Sequence, residues 1–268
     1  MPFASESRAQ TLSASQSAEH DPWFVSTCHQ PSADIRLFCF PFAGGGASVF
    51  SSWKGRFDGV DVKSLQLPGR ESRFRDKPID DFDLLMCQLV GAIEGKLDKP
   101  FLFFGHSLGG LVAFELARHL RERSLPQPEH LIISGKQAIG AQPRRKPIFN
   151  LPDDQFITEL EKYAGTPKEI LESKELIQLL LPMLRADVTL FDRYARRDSQ
   201  TKLSCPVSVF GADSDPFVAV EDLSGWRSET DGEFDQRIFS GGHFFIKDKS
   251  DEVIDTVRQI INKIPIRG

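Results

Sequence analysis

The stretch Pro100-Phe101-Leu102-Phe103-Phe104-Gly105-His106-Ser107-Leu108-Gly109-Gly110 constrains this chain more than any other. Four consecutive apolar residues, Phe101 to Phe104, read as a strand buried on both faces. After Gly105-His106-Ser107-Leu108-Gly109 the apolar spacing changes, and Leu108, Leu111, Val112, Leu116 and Leu120 recur at helical intervals. A buried strand, a Gly-x-Ser-x-Gly turn and an amphipathic helix in direct succession predict a nucleophile elbow at Ser107. Such a turn needs neighbours without Cβ atoms, because strand and helix approach closely there. It lifts the hydroxyl out of the sheet to a helix N-terminus, where the Leu108 N–H can face a developing oxyanion. The plain alternative is a pair of glycines closing a turn with no chemistry, and the flanking strand and helix weigh against it.

The 268 residues suffice for one α/β domain with an insertion. A net charge of −5 supplies no basic face for nucleic acid. No apolar run approaches the ~20 residues needed to span a bilayer, so no membrane partner is expected. Cys28, Cys39, Cys87 and Cys205 form no Cys-x-x-Cys pair and lack histidines at metal-ligand spacing. They read as reduced thiols of a cytoplasmic protein, with no metal site.

Residues 1–34 are polar and read as a flexible extension, pinned at most locally by Trp23 and Phe24. Ile35 to Phe40 is the first strand, and it runs into Pro41-Phe42-Ala43-Gly44-Gly45-Gly46. A phosphate-binding reading of this loop fails on spacing, since counting from Gly44 the last glycine of a Gly-x-Gly-x-x-Gly pattern would fall on Val49. An oxyanion loop fits better, with the Ala43 N–H facing the same spot as that of Leu108. A helix is expected to begin across Ser51 to Phe57, a strand at Val62 to Leu67, and a helix at Asp81 to Leu97. Arg70, Arg73 and Arg75 lie in the loop between the last two, either solvated or paired with Glu71 and Asp76, or else meeting an acidic partner. Further strands are expected at Leu131 to Gly135, Cys205 to Gly211 and Phe234 to Phe239, with a last helix from Asp251 to Ile261. Between about 140 and 195 three helices interrupt this alternation and read as a lid, with Pro182 breaking the second from the third. Strand–helix alternation elsewhere implies a largely parallel sheet covered on both faces.

A serine hydroxyl needs an adjacent base. In the α/β-hydrolase layout the chain order is serine, acid, histidine. Of the histidines after Ser107, His119 lies on the helix leaving the elbow and His130 precedes a strand at its N-terminal end. His243 sits in a glycine turn beyond the last strand, at the carboxyl edge where such loops gather. It is the expected base. The acid should follow the strand ending near Phe210, where Asp213 and Asp215 both qualify; Asp215 is preferred because Pro216 opens the next segment and the longer reach suits the His243 loop. The acid would accept from the imidazole Nδ1–H and fix its tautomer.

These residues resemble the type II, or repair, thioesterases of nonribosomal peptide and polyketide assembly lines, members of the α/β-hydrolase superfamily. The matching pieces are Phe40-Pro41-Phe42-Ala43-Gly44-Gly45, Gln66-Leu67-Pro68-Gly69-Arg70-Glu71, the Ser107 elbow, Leu181-Pro182-Met183-Leu184-Arg185-Ala186-Asp187, Asp215-Pro216 and Gly242-His243-Phe244-Phe245. The Pro-Gly-Arg-Glu and Leu-Pro-x-x-Arg-Ala-Asp pieces discriminate this family from ordinary esterases. Phe42 stands where the family often has histidine or tyrosine, and is expected to line the substrate site. The resemblance implies an α/β-hydrolase domain over residues 35–268: a mostly parallel sheet flanked by helices, with an inserted lid. It implies a monomer acting on acyl or peptidyl carrier proteins, which are generally acidic. It also implies hydrolysis of stalled acyl groups from their 4′-phosphopantetheine arm, with no cofactor of the enzyme's own. Arg144, Arg145 and Lys146 at the lid entrance are candidate docking groups, or else a solvated loop. Two other readings remain: an esterase or lipase acting on small soluble esters or acyl-CoA, and a binding module that kept the fold without the chemistry.

Overall fold

Alternation along the central strands explains how one sheet carries two cores. The computed structural model describes residues 21–28, 30, 32–162, 165, 172–195 and 201–265. In strand β4 (Phe101–His106), Phe101 and Phe103 enter the core on one face, while Leu102 and Phe104 enter the core on the other. Strand β2 (Ile35–Phe40) does the same, with Phe38 and Phe40 against Leu37 and Cys39. A strand with both faces covered has no solvent side, which is why its sequence is an apolar run and not an alternation. The rings meet edge to face, as in Phe40 and Phe103 with centroids 5.1 Å apart.

Strands β1 (Phe24–Cys28), β3 (Val60–Leu65), β5 (His130–Ser134), β6 (Val207–Ala212) and β7 (Phe234–Phe239) complete a seven-stranded sheet in the order β1-β3-β2-β4-β5-β6-β7. All neighbours run parallel except β1 and β3. The chain turns outward from β2 to β3, then crosses back to place β4 on the other side of β2. The gap between the loops after β2 and β4 is therefore the topological switch point, where open α/β sheets bind ligands.

Helices α1 (Phe82–Ile93) and α2 (Leu108–Glu122) cover one face. Asp81 caps α1 by accepting from the Leu84 N–H at 2.8 Å, and Leu85, Met86, Leu89, Val90 and Ile93 form its buried stripe. The other face is covered by the 3-10 turns of Ala47–Trp53 and, near the C-terminus, by the short α5 (Phe245–Asp248) and α6 (Ser250–Ile261). Helices α3 (Asp153–Glu161) and α4 (Lys174–Asp192) are inserted between β5 and β6 and share a small core of their own around Phe156, Ile177 and Leu184. Beyond α4, the Tyr194 hydroxyl donates to Glu115 of α2 at 2.6 Å.

Several expectations need correction, among them strand β3, expected at Val62 to Leu67 and found at Val60–Leu65. The segment before residue 35 is not uniform: Phe24–Cys28 pairs antiparallel with β3, and Phe24 is buried against Phe38. Alternation is too short there to stand out among polar neighbours; residues 1–20 lie outside the described residues. The helix expected across Ser51 to Phe57 is instead a 3-10 segment at Ala47–Trp53. Pro182 does not break the inserted helix, because α4 runs through it. Proline there removes a single bond to the carbonyl of Gln178, and both residues are exposed, so water can take that carbonyl. The expected start of that helix near Ile170 lies outside the described residues. Arg70 is not solvated but buried. Among the described residues, no helix is long and apolar enough to cross a membrane.

Candidate active site

Ser107 sits where β4 ends and α2 begins, with φ 54° and ψ −116°. A non-glycine residue rarely occupies that region, so the surroundings must hold it there. The Ser107 N–H donates to the Ser134 carbonyl of β5 at 2.8 Å, and its own carbonyl accepts the Gly110 N–H at 3.0 Å. The flanking glycines are steric necessities. A Cβ on Gly105 would lie 2.2 Å from the Gly109 oxygen, and one on Gly109 would lie 2.0 Å from the Phe40 oxygen. Leu108 is the first residue of α2, in the turn whose N–H groups have no acceptor within the helix.

The loops after β6 and β7 are tied together, and this brings Asp215 to His243. Asp213 N–H donates to Phe239 O and Ser214 N–H to Gly241 O, both at 3.0 Å, while the Gly241 N–H returns a bond to Asp213 Oδ1 at 3.0 Å. Across that join, His243 Nδ1 lies 2.7 Å from Asp215 Oδ2. The other Asp215 oxygen accepts the N–H groups of Phe217 and Val218 at 2.8 and 3.2 Å, so the carboxylate is fully engaged although buried. Asp213 makes no contact of this kind with the imidazole; the Gly241 N–H and the Ser214 hydroxyl hold its carboxyl below the usual range.

Ser107 and His243 both line one cavity of about 130 Å³, which also takes in Phe42, Ala43, Leu184 and Phe191. Phe42 is buried edge-on to Phe244, ring centroids 5.0 Å apart. The cavity thus joins the loop after β2, the elbow, the His243 turn and the inserted helix α4. His106 lies beneath, its ring 5.2 Å from that of His243 and its Nδ1 2.8 Å from the Ser134 hydroxyl. Burial, followed by the proximity of His243, holds the His106 imidazole well below its ordinary range. It stays neutral and adds no charge beside His243. The other two histidines after the elbow are occupied elsewhere: His119 Nδ1 meets the Glu115 carbonyl and His130 Nε2 the Ser208 hydroxyl, both at 2.8 Å. His20 and His29 lie outside the described residues. Among the described residues, no cluster of three His, Cys, Asp or Glu side chains is arranged to hold a metal ion.

Sequence reasoning did not place three groups at this site. Lys136, just past β5, is 8% exposed and lines the cavity, its ammonium 4.9 Å from the centre of the Phe191 ring. Arg70 and Asp187, 4% and 1% exposed, form a buried ion pair beside the loop after β2. The signal for this pair was present, since Arg70 stands in Pro-Gly-Arg-Glu and Asp187 ends Leu-Pro-x-x-Arg-Ala-Asp, far apart in sequence. Of the proposed docking cations, Arg145 pairs with Asp192 at 2.5 Å and Arg144 with Asp222 at 3.0 Å, whereas Lys146 is exposed.

Residues 35–261 match the thioesterase domain family. The gramicidin S biosynthesis protein GrsT of Aneurinibacillus migulanus is 38% identical over 234 residues, which cover 87% of this chain and 91% of GrsT. Thioesterase PikA5 of Streptomyces venezuelae is 37% identical over 229 residues, 85% of this chain and 81% of PikA5. The solved structure of BorB, a type II thioesterase from the borrelidin biosynthetic cluster, superposes with a TM-score of 0.80 at 31% identity, covering 89% of this chain and 97% of that one. With a sheet of α/β-hydrolase topology and a serine elbow at its switch point, the chain belongs to the thioesterase domain family.

Proposed function

We propose that this protein is a serine thioesterase that removes wrong or stalled acyl groups from the 4′-phosphopantetheine arm of carrier proteins in nonribosomal peptide or polyketide synthesis. The reading rests on one observation: the imidazole of His243, held by Asp215 at 2.7 Å, lines the same cavity as Ser107. Ser107 attacks the thioester carbonyl while His243 takes its proton, and Asp215 orients the ring and stabilises the imidazolium. The N–H groups of Leu108 and Ala43 hold the oxyanion. A thiolate, with a pKa near ~8.5, then leaves with little help from a proton donor. The imidazolium passes its proton to the released thiolate, and neutral His243 then takes a proton from the water that attacks the acyl-serine and returns it to Ser107 Oγ as the acid leaves. The apolar cavity wall receives the acyl chain, and the carrier delivers it.

Hydrolysis of acetyl-carrier protein by Ser107→Ala should fall by about 10⁴–10⁶-fold. Normal turnover by that variant would overturn the mechanism. Carrier dependence is a separate question. A free-standing esterase would hydrolyse acyl-pantetheine as fast as the matching acyl-carrier protein, whereas this reading requires a strong preference for the protein-bound form. A fluorophosphonate should label Ser107 of the wild type rapidly; an unlabelled protein would revert the chain to a binding module.

A further inference from the structure

Phe42 to Gly45 form a tight turn, closed by the Gly45 N–H donating to the Phe42 carbonyl at 2.9 Å, and Gly44 at its third position has φ 79°. Positive φ at that position is the signature of a type II turn. Types I and II differ in the direction of the central peptide plane, here the one joining Ala43 to Gly44. One group reads that direction directly. The Gly44 N–H donates to Asp187 Oδ2 at 2.7 Å, and Asp187 belongs to the inserted helix α4. The carboxylate is held in turn by Arg70, whose Nη1 and Nη2 reach its two oxygens at 2.7 Å each. Arg70 Nη1 also donates to the Gly45 carbonyl at 2.9 Å. Its neighbours secure the far end of the loop: Gln66 Oε1 accepts the Ala47 N–H at 2.7 Å, and Glu71 Oε1 accepts the Ser48 hydroxyl at 2.6 Å.

We infer that Asp187, held by Arg70, is a positioning residue for thioester hydrolysis: by fixing the Ala43–Gly44 peptide, the plane next to the one that carries the Ala43 N–H, it anchors the turn that presents that N–H to the oxyanion, and it makes a complete oxyanion hole conditional on α4 being seated. The inference rests on the reading of Ala43 as an oxyanion donor. It assigns to the two most family-specific pieces of the sequence one shared task. A bidentate arginine pair suits that task because it fixes the carboxylate in both distance and plane. With α4 displaced, the Gly44 N–H loses its acceptor and the turn is free to flip.

Four variants, assayed on acyl-pantetheine so that carrier docking plays no part, test this. Ala43→Pro deletes the N–H yet keeps a turn that favours proline at its second position; kcat should fall about 10²–10³-fold. Asp187→Asn should lower kcat at least tenfold with KM within about twofold. Combined with Ala43→Pro it should add nothing further, because both act on one donor. Arg70→Met with Asp187→Leu replaces a buried ion pair by apolar side chains and so strands no buried charge; its melting temperature should lie no lower than that of Asp187→Asn, which leaves Arg70 without its partner, while its kcat falls as in Asp187→Asn. If that double variant and Asp187→Asn both keep wild-type kcat while Ala43→Pro loses it, the positioning role is wrong and the oxyanion assignment stands. If Ala43→Pro keeps wild-type kcat, Ala43 is not a donor and the inference falls with that assignment. Additive losses in Asp187→Asn with Ala43→Pro would also overturn it.

Discussion

Lys136 is a residue whose burial works against the stability of the fold. A lysine 8% exposed in a cavity pays for its burial unless a partner compensates, and among the described residues no carboxylate pairs with it. Burial, and then the charge of Arg145, pull its ammonium down from 10.5 to about 8. The sign follows from proton counting. Between about 8 and 10.5 the unfolded chain binds the proton and the folded chain does not, so this group makes stability rise with pH through that window. Below it the burial cost is present in full. Lys136→Met should therefore stabilise the protein at pH 7, by on the order of 2 kcal/mol, and the gain should fade as pH approaches 10. Denaturant unfolding of both proteins at pH 7 and pH 10 measures this, and an equal or larger gain at pH 10 would refute the account. His106 shows the opposite solution in the same site: it is more deeply buried, but it stays neutral against the Ser134 hydroxyl and costs no charge.

The elements explain what could be read from sequence and what could not. Strands β2, β4, β5 and β6 were legible because both-face burial leaves apolar runs, and the elbow because two glycines bracket a serine at a change of period. Strand β3 was placed two residues too late, since Leu67 is buried although it lies beyond the ladder. Strand β1 and the course of α4 through Pro182 were not legible, because each is decided by a partner distant in sequence: β3 for the first, the core around Phe156 for the second. The same holds at the site. The motif carries Ser107, but the pairing of His243 with Asp215 and not Asp213 depends on how two loops are tied at Gly241. Glycines give this argument a direct test. Gly109→Ala forces backbone against backbone, with its Cβ 2.0 Å from the Phe40 oxygen, and should destabilise by about 3 kcal/mol or more. Gly91→Ala, exposed in α1 with nothing within 4 Å of the new methyl, should be neutral or stabilise by up to about 1 kcal/mol. Denaturant unfolding of the pair separates close approach from mere helix propensity; equal effects would show that strand and helix do not meet at Gly109 as described.

At the scale of the whole molecule, the switch point between β2 and β4 collects the parts of the site from both halves of the sheet, while net charge governs how a macromolecular substrate arrives. The chain carries −5, and carrier proteins of the kind proposed are acidic as well. Two like-signed bodies repel at long range, and local cations can offset this only if they are not already neutralised. Arg144 and Arg145 beside the cavity each hold a carboxylate, which leaves exposed Lys146 as the cation of that segment without such a partner among the described residues. Long-range repulsion should therefore dominate encounter. Salt shortens its reach from about 30 Å at 0.01 M to about 8 Å at 0.15 M. KM for an acyl-carrier protein should accordingly fall, by about two- to fivefold, as salt rises over that range, because screening removes a barrier to encounter. Acyl-pantetheine, which presents no charged protein surface, should show no such change. If KM for the carrier instead rises with salt, a local basic patch governs docking, and substitution of Lys146 should then abolish the dependence.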